Sequence, residues 1–297
     1  MSKHQTEKVH DRGIGLDCLD SGDVLGILLD GQVAAAKAVR TAIPDLESGA
    51  ELMAQAIRSG GNLVYAAAGS SGMIGMTDGL ELAPTFGIPV DRITILRAGD
   101  LNDMVGLTGD VEDNVDVAIS DAQEIGANDC VICLSASGST PYPVTVMEVA
   151  RKLGASTIGI SNNKNTPLLA DSDVSVLLPT PPEVIAGSTR LGAATAQKIA
   201  LNMMSSLMGI KLGHVMDGLM VSVVANNEKL FKRAENIVVA LTKCTDEVAK
   251  EKIGQADGNV KLAVLLASGA KNNAEAQGYL DRADQNLRIA LSMKIPG

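Results

Sequence analysis

The chain has 297 residues, 46% of them hydrophobic and only 2% aromatic, with no Trp and a formal net charge of −10 at neutral pH. That length holds one large α/β domain with helical additions or two smaller domains, its core built from Ala, Val, Ile, Leu and Met. The acidic balance argues against nucleic acid or an anionic membrane as a partner, because the protein's field repels both.

The opening MSKHQTEKVHDRG is polar, without the apolar stretch of a signal peptide, and no run of about 18 apolar residues occurs anywhere, so a cytoplasmic protein is expected. Helical spacing then runs from Leu16 to about Leu29 and from Gly31 to Arg58, with a break at Pro44. Strand-like runs follow at 62–68, 92–97, 130–135, 157–161 and 174–178, with helical stretches such as Pro141 to Leu153 between most of them. Cys130 and Cys133 form a CxxC inside DCVICLS, which reads as a buried strand carrying structural thiols. His4, His10 and His214 are scattered and offer no metal-ligand spacing. Thr189 to Leu212 is a long Ala/Met/Leu helix, and a second runs from about Val223 to Leu241. From Thr245 to Met293 three short helical patterns are broken near Gly258 and from Ala270 to Asn273.

Apolar strands alternating with helices predict a parallel sheet covered on both faces, with ligands bound outside the carboxyl ends of the strands. Two glycine-rich, hydroxyl-rich segments fall at that edge: AAGSSGMIG from Ala67 to Gly75 and LSASGSTPY from Leu134 to Tyr142. Glycine lets a backbone approach an anion, the hydroxyls donate, and a following helix adds unpaired amides. Neither segment is a P-loop or a dinucleotide fingerprint, so a phosphorylated small molecule is predicted rather than a nucleotide. The net negative charge does not forbid this, because charges beyond about 8 to 10 Å are largely screened in physiological salt.

GSSGMIG with TDGLELAPTFG, AGDLNDMVGLTGDVED, LSASGSTPY and EVIAGSTRLGAATAQKIALNMMSS together resemble the N-acetylmuramic acid 6-phosphate etherases of the sugar-isomerase (SIS) fold. The likeness runs nearly end to end and takes in GLDCLDSGDVLGILLDGQ and VVANNEKLFKRAENIV. It implies an α/β, SIS-type three-layer sandwich with a five-stranded, mainly parallel sheet and a C-terminal helical appendage. The implied divisions are a helical arm over 1–45, a phosphosugar-binding domain over 46–242 and a small helical subdomain over 243–297. The implied reaction cleaves the lactyl ether of the sugar phosphate, giving N-acetylglucosamine 6-phosphate and D-lactate in peptidoglycan recycling, with no cofactor or metal. A homodimer is expected, both from the resemblance and because the long helix and the GLMVSVV run carry more apolar surface than one sheet face covers.

The family's two acidic positions match Glu81 in GLELAP and Glu112 in DVED. An ether β to the aldehyde of the open-chain sugar is eliminated when a base takes the carbon 2 proton and an acid protonates the departing lactate oxygen; water then adds to the alkene. Glu81 is assigned as acid and Glu112 as base, with the reverse pairing open at the level of sequence. On composition alone Glu112, beside Asp110 and Asp113, is a solvated surface residue.

Ser70, Ser71, Ser137, Ser139 and Thr140, with the amides of Gly72 and Gly138, are the expected phosphate ligands. Glu183 and Arg190 lie in the matching EVIAGSTR segment, where Arg190 would neutralise substrate charge and Ser188 and Thr189 would serve as more distant helpers or as a helix cap. The usual family loops read GTSGRLG and ASGRTP, so here Met73 and Ser139 replace two arginines, and Gly192 stands where Lys is common. An Arg fork contributes charge and geometry that Met cannot, which points to an altered sugar-acid preference. Two other readings use the same scaffold: an aldose–ketose isomerase, and a sugar-phosphate sensor without turnover.

Overall fold

The computed structural model describes residues 5–99, 111–223 and 228–293. Its contacts divide the chain into one unit of Met1–Leu80 with Val90–Leu207 and another of Glu81–Pro89 with Met208–Gly297. The boundaries expected from the sequence lie at 45 and 242.

In the first unit the order is α1 (Ser21–Ala38), α2 (Ile43–Arg58), β1 (Leu63–Ala67), α3 (Gly69–Phe86), β2 (Ile93–Arg97), α4 (Val115–Asp121), β3 (Cys130–Ser135), α5 (Pro141–Lys152), β4 (Ser156–Ser161), α6 (Pro167–Ala170), β5 (Val174–Leu177) and α7 (Gly192–Lys211). The last residues of α3 and α7 fall in the second unit. The five strands pair in the order β2-β1-β3-β4-β5, all parallel, as the alternation of apolar runs and helices predicts. All residues of β1 and β3 are buried, which is why these strands read as continuous apolar runs instead of alternating ones.

One face of the sheet, with Val64, Ala66, Val131 and Cys133, packs against Ala118 of α4 and Tyr142, Val146, Met147 and Ala150 of α5. On the other face Gly49 of α2 sits where an added Cβ would meet Met204 of α7 and Ile158. Gly75 and Gly79 likewise let α3 settle on Tyr65, Leu134 and Ile95. Each fully buried Ile132, Leu134, Ile158 and Ile160 contributes on the order of 2 kcal/mol of apolar burial. Beneath α3, buried Asp78 accepts hydrogen bonds from Tyr65 (2.8 Å), Asn202 (2.7 Å) and Ser205 (3.0 Å), which tie β1, α3 and α7 together.

Cys130 and Cys133 stand three residues apart on β3 and therefore face opposite sides of the sheet, so they cannot pair with each other. Burial pushes both thiols far above the ordinary range. All four cysteines are free thiols.

The second unit contains an antiparallel ribbon of β6 (Val215–Met216) and β7 (Leu219–Met220), then α8 (Glu228–Thr242), α9 (Asp246–Gln255), α10 (Val260–Ala267), α11 (Asn273–Arg282) and α12 (Leu287–Ser292). Four of these helices, not three, occupy 245–293. Each is opened by a side-chain cap: Thr245, Asn259, Asn272 and Asn286 accept from the amides of Val248, Leu262, Glu275 and Ile289. The apolar faces close around Val260, Val264, Ala276 and Leu287.

Candidate functional site

β1 has β2 on one side and β3 on the other, so the chain changes direction across the sheet between β1 and β3. A crevice opens at the carboxyl ends of strands where that happens. Ala67 and Leu134 are paired in register at the ends of these two strands, and the two hydroxyl-rich segments leave the sheet immediately beyond them. Between them lies a cleft of about 200 Å³, lined by Ala68 to Ser71, Leu134 to Ser137, Thr140 and Glu112, together with Thr6, Glu7, Gly187 and Thr189.

From the first segment only Ala68 to Ser71 reach the cleft; the glycines at 72, 75 and 79 belong to α3. The Gly72 amide donates to the Ala68 carbonyl at 2.9 Å and is committed to the helix. Ser70 and Ser71 lie within the first turn of α3, where amides have no intrahelical acceptor and the helix dipole favours an anion. Arg97, the last residue of β2, lays its side chain across Gly72, with Cγ 2.9 Å from where a Cβ would stand.

The second segment is held by its own hydroxyls. Ser135 Oγ lies 2.7 Å from Thr140 Oγ1 and 3.1 Å from Ser137 Oγ. Ser135 Oγ also accepts from the Gly138 amide at 3.0 Å, so that amide is spent inside the loop. Gly138 has φ +73, and a Cβ there would collide with Ser161 and Thr166, so only glycine fits. α5 starts Pro141-Tyr142-Pro143, in which the prolines have no N–H and the Tyr142 amide donates to the Glu112 carbonyl at 3.1 Å. The start of α5 therefore offers no free amide at these three positions, which leaves the hydroxyls of Ser135, Ser137 and Thr140 as the polar side chains that this segment turns to the cleft.

Glu112 is half-buried, with its Oε1 2.9 Å from where a Cβ of Gly69 would stand. Burial raises its pKa above the ordinary glutamate value, and the neighbouring Asp113 charge raises it further. That is the direction that makes a carboxylate a stronger base.

Several expected residues do not line the cleft. Glu81 is exposed on α3, about 18 Å along the helix axis from Gly69 at 1.5 Å per residue. Glu183 is buried and receives the amides of Gly192 and Ala193, each at 2.8 Å, and so holds the start of α7. A side chain at Gly192 would press on that carboxylate, its Cβ 3.1 Å from Glu183 Oε2. Arg190, Ser139 and Met73 are exposed and outside the lining, whereas Thr189 is part of it. Sequence reasoning missed Thr6, Glu7, Ser135 and Gly187; the first two lie in a polar N-terminal stretch whose composition alone says only that it is solvated.

Residues 101–207 match the SIS domain family. An N-acetylmuramic acid 6-phosphate etherase of Mycolicibacterium smegmatis is 36% identical over 293 residues, covering 98% of this chain and 98% of that one. One of Deinococcus radiodurans is 38% identical, covering 97% of this chain and 95% of the relative. Among solved structures, a Bacteroides fragilis protein assigned as a phosphosugar isomerase involved in capsule formation superposes with a TM-score of 0.50 at 24% identity, over 67% of this chain and 95% of that one. The five-stranded parallel sheet flanked by helices is thus the SIS fold, with additional C-terminal helices.

Proposed function

We infer from membership of the N-acetylmuramic acid 6-phosphate etherase family, to which this chain belongs, that it is a carbon–oxygen lyase that releases D-lactate from N-acetylmuramic acid 6-phosphate. The observation that carries the reading is the half-buried Glu112 carboxylate, its basicity raised, standing in the hydroxyl-lined cleft beside the start of α3.

In this account the phosphate rests on the hydroxyls of Ser70, Ser71, Ser137 and Thr140 and on the first amides of α3. Glu112 takes the proton from carbon 2 of the open-chain sugar, Glu81 protonates the departing lactate oxygen, and water adds at carbon 3 to leave N-acetylglucosamine 6-phosphate. An isomerase would use the same proton but release no lactate, and a sensor would do neither. Incubation with N-acetylmuramic acid 6-phosphate and an enzymatic assay for D-lactate tests the reading; intact substrate after prolonged incubation defeats it.

Glu81 stands three turns along α3 from the cleft, so we place it in the cleft of a second copy, within a closed homodimer. The support is apolar: Val9, Ile14, Leu25 and Leu29 are each more than 60% exposed, and Val9, Leu16, Leu19 and Leu25 line a groove of about 630 Å³. The GLMVSVV run supports this less than its composition suggests, because Val221 and Val223 are already buried within the second unit. With Met73 and Ser139 in place of arginines, a thioether and a hydroxyl replace two guanidinium charges, and we expect a sugar acid with a different charge distribution to be accepted as well. We place the reaction in the cytoplasm, consistent with four free thiols. No helix among the described residues is long and apolar enough to cross a membrane.

A further inference from the structure

The N-terminal segment Gln5–Glu7 is fastened to the carboxyl edge of the sheet. The Gln5 amide donates to Asn163 Oδ1 at 2.5 Å, and Asn163 Nδ2 donates to Thr6 Oγ1 at 3.1 Å and to the Ala136 carbonyl at 2.8 Å. The Gly187 amide donates to the Thr6 carbonyl at 3.2 Å. Thr6 and Asn163 are both buried. One buried amide side chain therefore locks the segment to Ala136, the neighbour of Ser137 in the hydroxyl loop.

This anchoring delivers Glu7 to the cleft that holds Glu112. Gly187, at φ +75, leaves the carboxylate room: Glu7 Oε2 lies 3.5 Å from where a Cβ would stand. Glu7 forms no hydrogen bond or ion pair with another described side chain, so the segment is held in place by groups other than this carboxylate.

We propose that Gln5–Glu7 completes the sugar site and that Glu7 is a specificity-determining residue, accepting hydrogen bonds from neutral hydroxyl or amide N–H donors at the end of the sugar away from its phosphate. The proposal rests on the sugar-phosphate reading above. An ionised carboxylate only accepts, and its two oxygens suit a pair of neighbouring donors. A phosphate is the wrong partner, since two like charges a few ångströms apart repel, and more strongly near a protein surface than in water. The cleft thus has two ends of different chemistry: hydroxyls and the α3 amides for the anion, and the Glu7 acceptor for the neutral part of the ring.

Calorimetric titration of the full chain with N-acetylglucosamine 6-phosphate and, separately, with inorganic phosphate tests this. In Glu7→Gln and Glu7→Ala the sugar phosphate should bind about tenfold more weakly or worse, the scale of a lost bond to a charged group. Inorganic phosphate should bind as well as to the wild type, or better, because a repelling charge has gone. Glu7→Asp should recover part of the loss. An equal loss for both ligands would make the segment a structural strap only, and unchanged sugar-phosphate affinity would remove Glu7 from the site; either result overturns the proposal. D-lactate release by the wild type reads the etherase assignment separately, so that assignment can fail while the discrimination between the two ligands stands, and the reverse.

Discussion

Glu112 and Gly69 are complementary: the carboxylate occupies the space that a side chain at Gly69 would take, 2.9 Å from the position of its Cβ. Gly69 also has φ +51, which costs a residue with a Cβ about 1 to 2 kcal/mol. Two independent constraints thus meet at one position, one on the backbone and one on the Glu112 carboxylate.

Gly69→Ala is expected to push Glu112 out of line, lowering kcat by about tenfold or more, because a displacement near 1 Å costs that much or more in aligned catalysis. The fold should lose only the backbone strain. Steady-state kinetics beside thermal melts separate the two effects, and a folded variant with wild-type kcat would show that Glu112 does not depend on this packing.

The acid limb of kcat/KM should lie above 4.5, the ordinary glutamate value, because Glu112 is raised first by burial and then by Asp113. A base is active when deprotonated, so activity is lost as pH falls through that raised pKa. Asp113→Asn removes a repelling charge and should move the limb to lower pH. A limb that stays in place, or moves up, would contradict the role given to Glu112.

Glu81→Gln and Glu112→Gln should each be nearly inactive, by about a hundredfold or more. If the two carboxylates of one site come from two copies, mixing and re-equilibrating the variants should restore about a quarter of wild-type activity, since half the dimers then carry one intact site of two. A mixture no more active than its components would mean that each chain supplies both acids to its own cleft.

His214 gives the second unit a separate pH dependence. Burial first and the Lys261 charge second lower its pKa to about 4, with a hydrogen bond to the Phe86 backbone partly opposing both; its Nδ1 is buried without a partner. In the folded chain it stays neutral down to about pH 4, while the unfolded chain takes up a proton near 6.5. Stability is therefore full above 6.5 and falls as pH drops through that window, by about 2 kcal/mol at pH 5. Denaturant titrations at pH 7 and pH 5 should show this slope, and His214→Phe should flatten it by that amount. An unchanged slope would place the acid sensitivity elsewhere.

The parallel sheet was legible in the sequence because β1 and β3 are buried along their whole length and read as uninterrupted apolar runs ending in small hydroxyl residues. The start of α3 was harder to read. Glycines at 69, 72, 75 and 79 look like a loop until their spacing of three and four is recognised as one face of a helix, on which Gly75 and Gly79 press against Tyr65. The ribbon turn did leave a signal: Asp217 and Gly218, both at positive φ, form the Asp-Gly pair expected between two short strands. The break between α11 and α12 left almost none, since Asp284 and Gln285 take left-handed conformations without a glycine or proline to mark them. Glu7 was hidden for a different reason. It sits 62 residues before Gly69, and only the fold, through Asn163, brings it to the cleft.

The central claim is that Glu112 starts an elimination at carbon 2 of a muramic acid phosphate, and proton NMR of the reaction in deuterated water reads it directly. The wild type should release D-lactate and leave N-acetylglucosamine 6-phosphate carrying deuterium at carbon 2, and Glu112→Gln should abolish both signals. Lactate released with the original carbon 2 proton retained, or no lactate at all, would contradict the account.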